Sequence, residues 1–128
     1  MNAIEDHSRI QSLLMCYFYG LYHADSKVLS KVFHPDSRYI NCVSGRYVNL
    51  SVKEYLQLVD ERVAPVENSE QPERSIISLD IASPTLATVR AEMSMMGRRY
   101  TDCLTLIRTT AGWAIIAKAF HYINEGEQ

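Results

Sequence analysis

The run YTDCLTLIRTTAGWAIIAKAF, Tyr100 to Phe120, is written in strand-forming residues and interrupted by two charges, Asp102 and Lys118. A carboxylate among apolar side chains is costly unless paired or hydrogen-bonded, and left unpaired it binds its proton more tightly. Such a group suits general acid, general base or hydrogen-bond donor work. Tyr17 offers a phenolic hydroxyl to the same interior, because it falls near the centre of an apolar helical stripe. His121 is the third candidate. A turn formed by Ala111 and Gly112 sets Asp102 opposite His121, whereas a turn one residue longer sets it opposite Phe120. Lys118 alternates with His121, so the two point to opposite faces. Lys118 reads as a packed or salt-bridged strand residue, and Asp102 has a structural alternative in a bridge to Arg99.

These residues need elements to hold them. Ile4 to about His23 has the spacing of an amphipathic helix, with Ile10, Leu13, Leu14, Tyr17, Phe18 and Leu21 on one face. Asp25 and Ser26 can cap a short second helix that His34-Pro35 ends. Arg38 to Val43 reads as a strand and Ser44-Gly45 as a turn. Ser51-Val52-Lys53-Glu54 has the form of a capping box for a third helix to about Val63. Pro65 to Glu73 reads as a polar loop. Four strands then follow, at 74–81, 85–96, 99–109 and 113–123, separated by turn residues. Helices first and strands afterwards predict an α+β domain with its helices on one face of a curved sheet.

The 128 residues suffice for one domain, 1–128, with a core that needs no disulfide or metal. With a net charge of −2 and a pI near 6.1, the chain has no basic field for nucleic acid. Neither a signal-like start nor a membrane-length apolar run is present, which predicts a cytoplasmic location without membrane attachment. Cys16, Cys42 and Cys103 read as reduced, mostly buried thiols rather than zinc ligands. No glycine-rich phosphate loop or clustered ligand set points to a cofactor.

Tyr17 with Gly20-Leu21-Tyr22, VFHPDSRY (32–39), SVKEYL (51–56), YTDCLTL (100–106) and GWAIIAKAF (112–120) together resemble the nuclear transport factor 2-like superfamily, in particular its SnoaL-like and lumazine-binding-labelled groups. The resemblance spans nearly the whole chain. It implies a cone, the cystatin-like α+β barrel, in which a mostly antiparallel sheet wraps the helices around a pocket, and a homodimer formed through the outer sheet face. The pocket would be lined by Tyr17, Phe33, Tyr39, Asn41 and Asp102, with Asp102, Tyr17 and His121 as its chemical groups. In ketosteroid isomerase, a tyrosine of the first helix and a strand acid hold the developing oxyanion; the acid's place here falls at Thr105, and Asn41 stands where that enzyme has its base. Steroid isomerisation is therefore disfavoured. A dehydratase of the scytalone kind would draw on His23, His34 and His121. Two functional expectations follow. One is a pocket protein for an apolar or aromatic metabolite, with cofactor-independent acid–base activity of an isomerase, cyclase or dehydratase kind. The other is a non-catalytic homodimeric interaction module whose apolar outer face centres on the strand Thr85 to Met96.

Overall fold

In the computed structural model, which describes residues 3–126, the chain is a mixed six-stranded sheet with three helices on one side. Helix α1 spans Ala3–Tyr22 and α2 spans Ser26–Val32, whose N-cap Asp25 accepts from the backbone of Lys27 and Val28. Strands β1 and β2 are Phe33–Asn41 and Val48–Ser51. Helix α3, Val52–Asp60, begins with the expected capping box between Ser51 and Glu54. Strands β3 (Glu73–Ser83), β4 (Leu86–Met95), β5 (Arg98–Thr109) and β6 (Gly112–Asn124) complete the sheet, in the order β2-β1-β6-β5-β4-β3. All neighbours are antiparallel except β1 and β6. The α+β reading holds.

Several details differ from the sequence reading. β1 starts at Phe33, ahead of Pro35, because proline is tolerated where the register between Phe33 and Arg38 is irregular. β2 is a short edge strand that the reading missed, and the loop after Ala64 opens with a 3₁₀ turn, Pro65–Asn68. The three cysteines are free but exposed, not buried: Cys103 takes the outward alternation of β5, and Cys16 sits on the polar side of α1.

The β5–β6 hairpin reaches its register in an unexpected way. Its turn is Thr110-Ala111, with Thr109 opposite Gly112, whose φ of +107° suits glycine. Near the tip, Leu106 faces Ile115; further along, Thr105 faces Ala117 and Asp102 faces Phe120. One extra residue, Ile116, sits in β6 between those pairs. This bulge, not a longer turn, puts Asp102 opposite Phe120. It also reverses which residues of β6 face inward: Ile115 before it, Lys118 and Phe120 after it. His121, paired with Thr101, is exposed on the outer face.

The core lies between α1, α2, α3 and the concave side of the sheet, where Leu14, Phe18, Leu29, Val89, Leu104, Leu106 and Ile115 are buried. β4 contributes Ala87, Val89, Ala91 and Met93 to it, and turns Leu86, Thr88, Arg90 and Glu92 outward. The apolar outer face expected for this strand is therefore mostly polar. At the tip, the buried Asp6 of α1 accepts a hydrogen bond of 2.5 Å from Arg108, which ties the start of α1 to the β5–β6 hairpin.

Gly20 lets α1 and α2 meet. A Cβ there would come within 2.6 and 2.7 Å of Leu29 Cδ2 and Cγ. Gly20→Ala is expected to destabilise the fold by about 1–3 kcal/mol in denaturant melts, despite the roughly 1 kcal/mol that alanine gains over glycine in a helix. Combined with Leu29→Ala, the two substitutions should together cost less than their separate effects, because the second removes the clash.

Candidate functional site

Four elements deliver side chains to one point in the core. The middle of α1 places Tyr17 there, since it lies one and four residues from its buried neighbours Phe18 and Leu21. β5 supplies Asp102, on the same inward alternation as Tyr100 and Leu104. β6 supplies Lys118, turned in by the bulge at Ile116. The capped helix α3 supplies Tyr55, which the sequence reading did not single out although Tyr55 and Val59 share its buried face.

Tyr17 donates a short hydrogen bond to Asp102 Oδ2. Lys118 Nζ lies 3.8 Å from the same oxygen and donates to Tyr55 Oη at 3.4 Å. Asp102, Tyr17 and Tyr55 are at most 1% exposed and Lys118 is 4% exposed. The ammonium is caged by aromatic rings, at 5.2 Å from the centroid of Tyr17, 5.7 Å from Tyr39, 5.1 Å from Tyr55 and 5.4 Å from Phe120. Asp102 Oδ1, equally buried, has no hydrogen-bond partner among the described residues. An acceptor in that condition is costly in a core and available to a proton or a donor.

The electrostatics follow from this enclosure. Burial, then the neighbouring Asp102 charge, hold the Tyr17 phenol well above its ordinary range, so it stays a donor. Burial alone would pull the Lys118 ammonium down, but Asp102 with the phenols of Tyr55 and Tyr39 more than offsets it, and the group is held above its usual value. Lys118 is thus a fixed cation rather than a free amine nucleophile.

Of the expected pocket residues, Phe33 is buried edge-on to Tyr17 and Tyr55, at centroid distances of 6.0 and 5.5 Å. Tyr39, half-buried, stacks on Tyr55 at 4.5 Å and contacts Phe120 at 4.8 Å. Asn41 lies further along β1, where its Oδ1 accepts from the Val43 backbone. His121 is corrected: it faces away from Asp102, and Lys118 takes the place beside the carboxylate. Nor does Asp102 bridge to Arg99, which pairs at 4.0 Å with Glu92. His23 packs on Tyr19 and His34 accepts from the Asp36 backbone, so the histidines do not converge. No group of three or more histidine, cysteine or acidic residues among those described could hold a metal ion. Clefts of about 360 and 390 Å³ lie elsewhere, one along β3 and β4 and one between α1 and α2, and neither is lined by Tyr17, Asp102 or Lys118. Among the described residues, no helix is long and apolar enough to cross a membrane.

Comparison with known proteins agrees with this architecture. The family model described as "Putative lumazine-binding" matches residues 5–121. An aldolase, FrzH from Cladobotryum sp., is 25% identical over 118 residues, covering 91% of this chain and 90% of its own. An NTF2-like protein from Shewanella baltica superposes with a TM-score of 0.85 at 20% identity, covering 98% and 99% of the two chains. A ketosteroid isomerase-like protein from Erwinia carotovora atroseptica superposes at 0.68 with 14% identity, over 90% and 94%.

Two outcomes test the site's electrostatics. Lys118→Met should destabilise the protein by about 3–5 kcal/mol by stranding a buried carboxylate, and adding Asp102→Asn should recover much of that loss in a double-mutant cycle. Because the folded Tyr17 and Lys118 pKa values are both raised, their stabilising contributions are complete below the ordinary values near 10 and are lost as pH rises beyond them. Thermal melts between pH 8 and about 11 should therefore fall less steeply for Tyr17→Phe than for the wild type.

Proposed function

The chain belongs to the putative lumazine-binding family, of nuclear transport factor 2-like fold, and on that premise we propose that it acts on a small apolar or aromatic carbonyl compound by cofactor-independent acid–base chemistry. The observation that carries this reading is the carboxylate of Asp102, held by Tyr17 and Lys118 on one oxygen and unpartnered on the other. Oδ1 is the base that removes a proton from the carbon next to the carbonyl. The C–H electron pair forms the C=C bond of the enolate while the carbonyl π pair moves to oxygen, and the site gains no net charge, because the carboxylate becomes neutral as the enolate becomes negative. Lys118, relieved of its counter-ion, offsets the enolate, and the Tyr17 and Tyr55 hydroxyls supply donors.

Enolate formation is the first half of an aldol reaction, and the name of the Cladobotryum relative supports that direction. The aromatic rings of Phe33, Tyr39, Tyr55 and Phe120 suit a flat ligand. Entry requires the Tyr39 ring to leave its stack on Tyr55, and Tyr39, like Phe120, is only half-buried, whereas Tyr17, Phe33 and Tyr55 are buried.

A second reading, a non-catalytic binding or interaction module, draws support from the enclosure of the ion pair, which is nearly inaccessible. Proton exchange separates the two. In deuterium oxide, the wild type should speed α-deuteration of an aryl ketone such as 2-acetylnaphthalene, followed by NMR. Asp102→Asn should reduce the enzymatic rate by about 100-fold or more, and Tyr17→Phe by less. Wild-type exchange no faster than buffer would remove the enzymatic reading and leave the binding module.

A further inference from the structure

Arg98 and Arg62 are not absorbed by the cluster described above. Arg98 lies beside the Gly97 turn, yet it is half-buried, shares the inward alternation of Tyr100 and Asp102, and faces Asn124 near the end of β6. Its guanidinium lies 4.3 Å from the Tyr122 ring centroid and donates to Tyr100 Oη at 3.2 Å. Arg62, half-buried just beyond α3, lies 5.8 Å from the Tyr55 centroid. Neither forms an ion pair with a carboxylate among the described residues. Glu92 pairs with Arg90 and Arg99, and Glu70 accepts from the Met96 backbone.

These two cations border a continuous aromatic wall. Tyr122 contacts Tyr100, Tyr100 contacts Phe120, Phe120 contacts Tyr39, and Tyr39 stacks on Tyr55, with centroid distances of 5.2, 6.1, 4.8 and 4.5 Å. Asp102 lies at the inner end of the wall and Arg98 at the rim, four residues apart along β5, or about 13 Å. Half-buried guanidinium groups resting on ring faces keep their planar donor edges for a carboxylate or another planar oxyanion.

We propose that the compound taken by this site is an anionic aromatic: a flat body of about two fused rings along the wall, with an acidic group held at the rim by Arg98 and its reacting carbon at Asp102, while Arg62 sits at the opposite, Tyr55 end of the wall. The assignment rests on the pocket reading above, and it adds a specificity that the Tyr17, Asp102 and Lys118 cluster does not supply. The rim charge also gives anions a steered approach to a chain whose net charge is −2.

The test compares two probes of the same shape, 2-naphthoate and the neutral 2-naphthamide, by calorimetry at low salt. Wild type should bind the acid about tenfold or more tightly than the amide, and Arg98→Gln should weaken the acid by about that factor while leaving the amide unchanged. The wild-type comparison needs no variant, so it decides even if the substitution disturbs folding, which a melt of the variant reports. Equal binding of both probes, or acid binding indifferent to Arg98→Gln, overturns the anionic assignment and leaves the aromatic pocket intact. Binding of neither probe overturns both.

Discussion

Lys118 faces Asp102 because Ile116 is left out of the β5–β6 pairing as a bulge. Were Ile116 paired with Thr105 instead, the register set by the Thr110-Ala111 turn would continue unbroken, and Lys118 would fall on the outward alternation of β6. Phe120 and Tyr122 would turn outward with it. Whether this one residue is bulged out or paired thus decides whether the concave side of β6 carries a cation in an aromatic cage or the small side chains of Ala117 and Ala119, which agrees with the tendency of bulges to re-aim side chains. The rest of the centre depends on that choice. Tyr17 and Tyr55 arrive on helices with their own packing, but the carboxylate they surround would lack a cation.

The energetics argue against reading the pair as ordinary core stabilisation. Burying two charges costs several kcal/mol per ion, which their attraction repays only when geometry and hydrogen bonding are both good. Here the separation is 3.8 Å and one carboxylate oxygen is without a partner. A leucine and a methionine of similar volume would fill the space at equal or lower free energy, as replacements of buried ion pairs in other proteins have done. The arrangement makes more sense as a charge held ready than as an anchor. The anchoring is done elsewhere, by Asp6 and Arg108 at 2.5 Å between the first helix and the hairpin tip, and by Gly20 where the first two helices touch.

Much of this was legible in the residues. The three helices, the four long strands and the α+β class follow from periodicity, from the capping box at Ser51 and from the turn residues. Tyr17 and Asp102 could be picked out because a helical stripe and a strand alternation each put a polar group where apolar ones were due. Lys118 could not be placed, because its facing depends on parity, and parity was broken by an isoleucine that looks like any other strand residue. The same break sent His121 to the outer face. β2 escaped notice because four residues pairing with β1 leave almost no pattern, and Tyr55 because one tyrosine on a short amphipathic helix looks like packing alone. Beside the Gly97 turn, likewise, alternation rather than composition decides which of the adjacent Arg98 and Arg99 faces in.

These errors share a physical origin that bears on how such a fold acquires chemistry. Along one strand the facing of a side chain is a local property, so sequence reports it well; across two strands it depends on a register that one residue can change. A cone built from a long curved hairpin therefore has two nearly independent ways to change its interior, by exchanging an inward side chain or by forming or losing a bulge. The second exchanges every inward residue beyond it at once, at the cost of one disrupted pair in the ladder. In this chain, one bulge brings in Lys118, Phe120 and Tyr122 together: the cation, the cage and the wall that leads to the rim. That the interior chemistry arrives as a set, on one strand and from one irregularity, explains how closely related sheets of this shape can hold unlike sites.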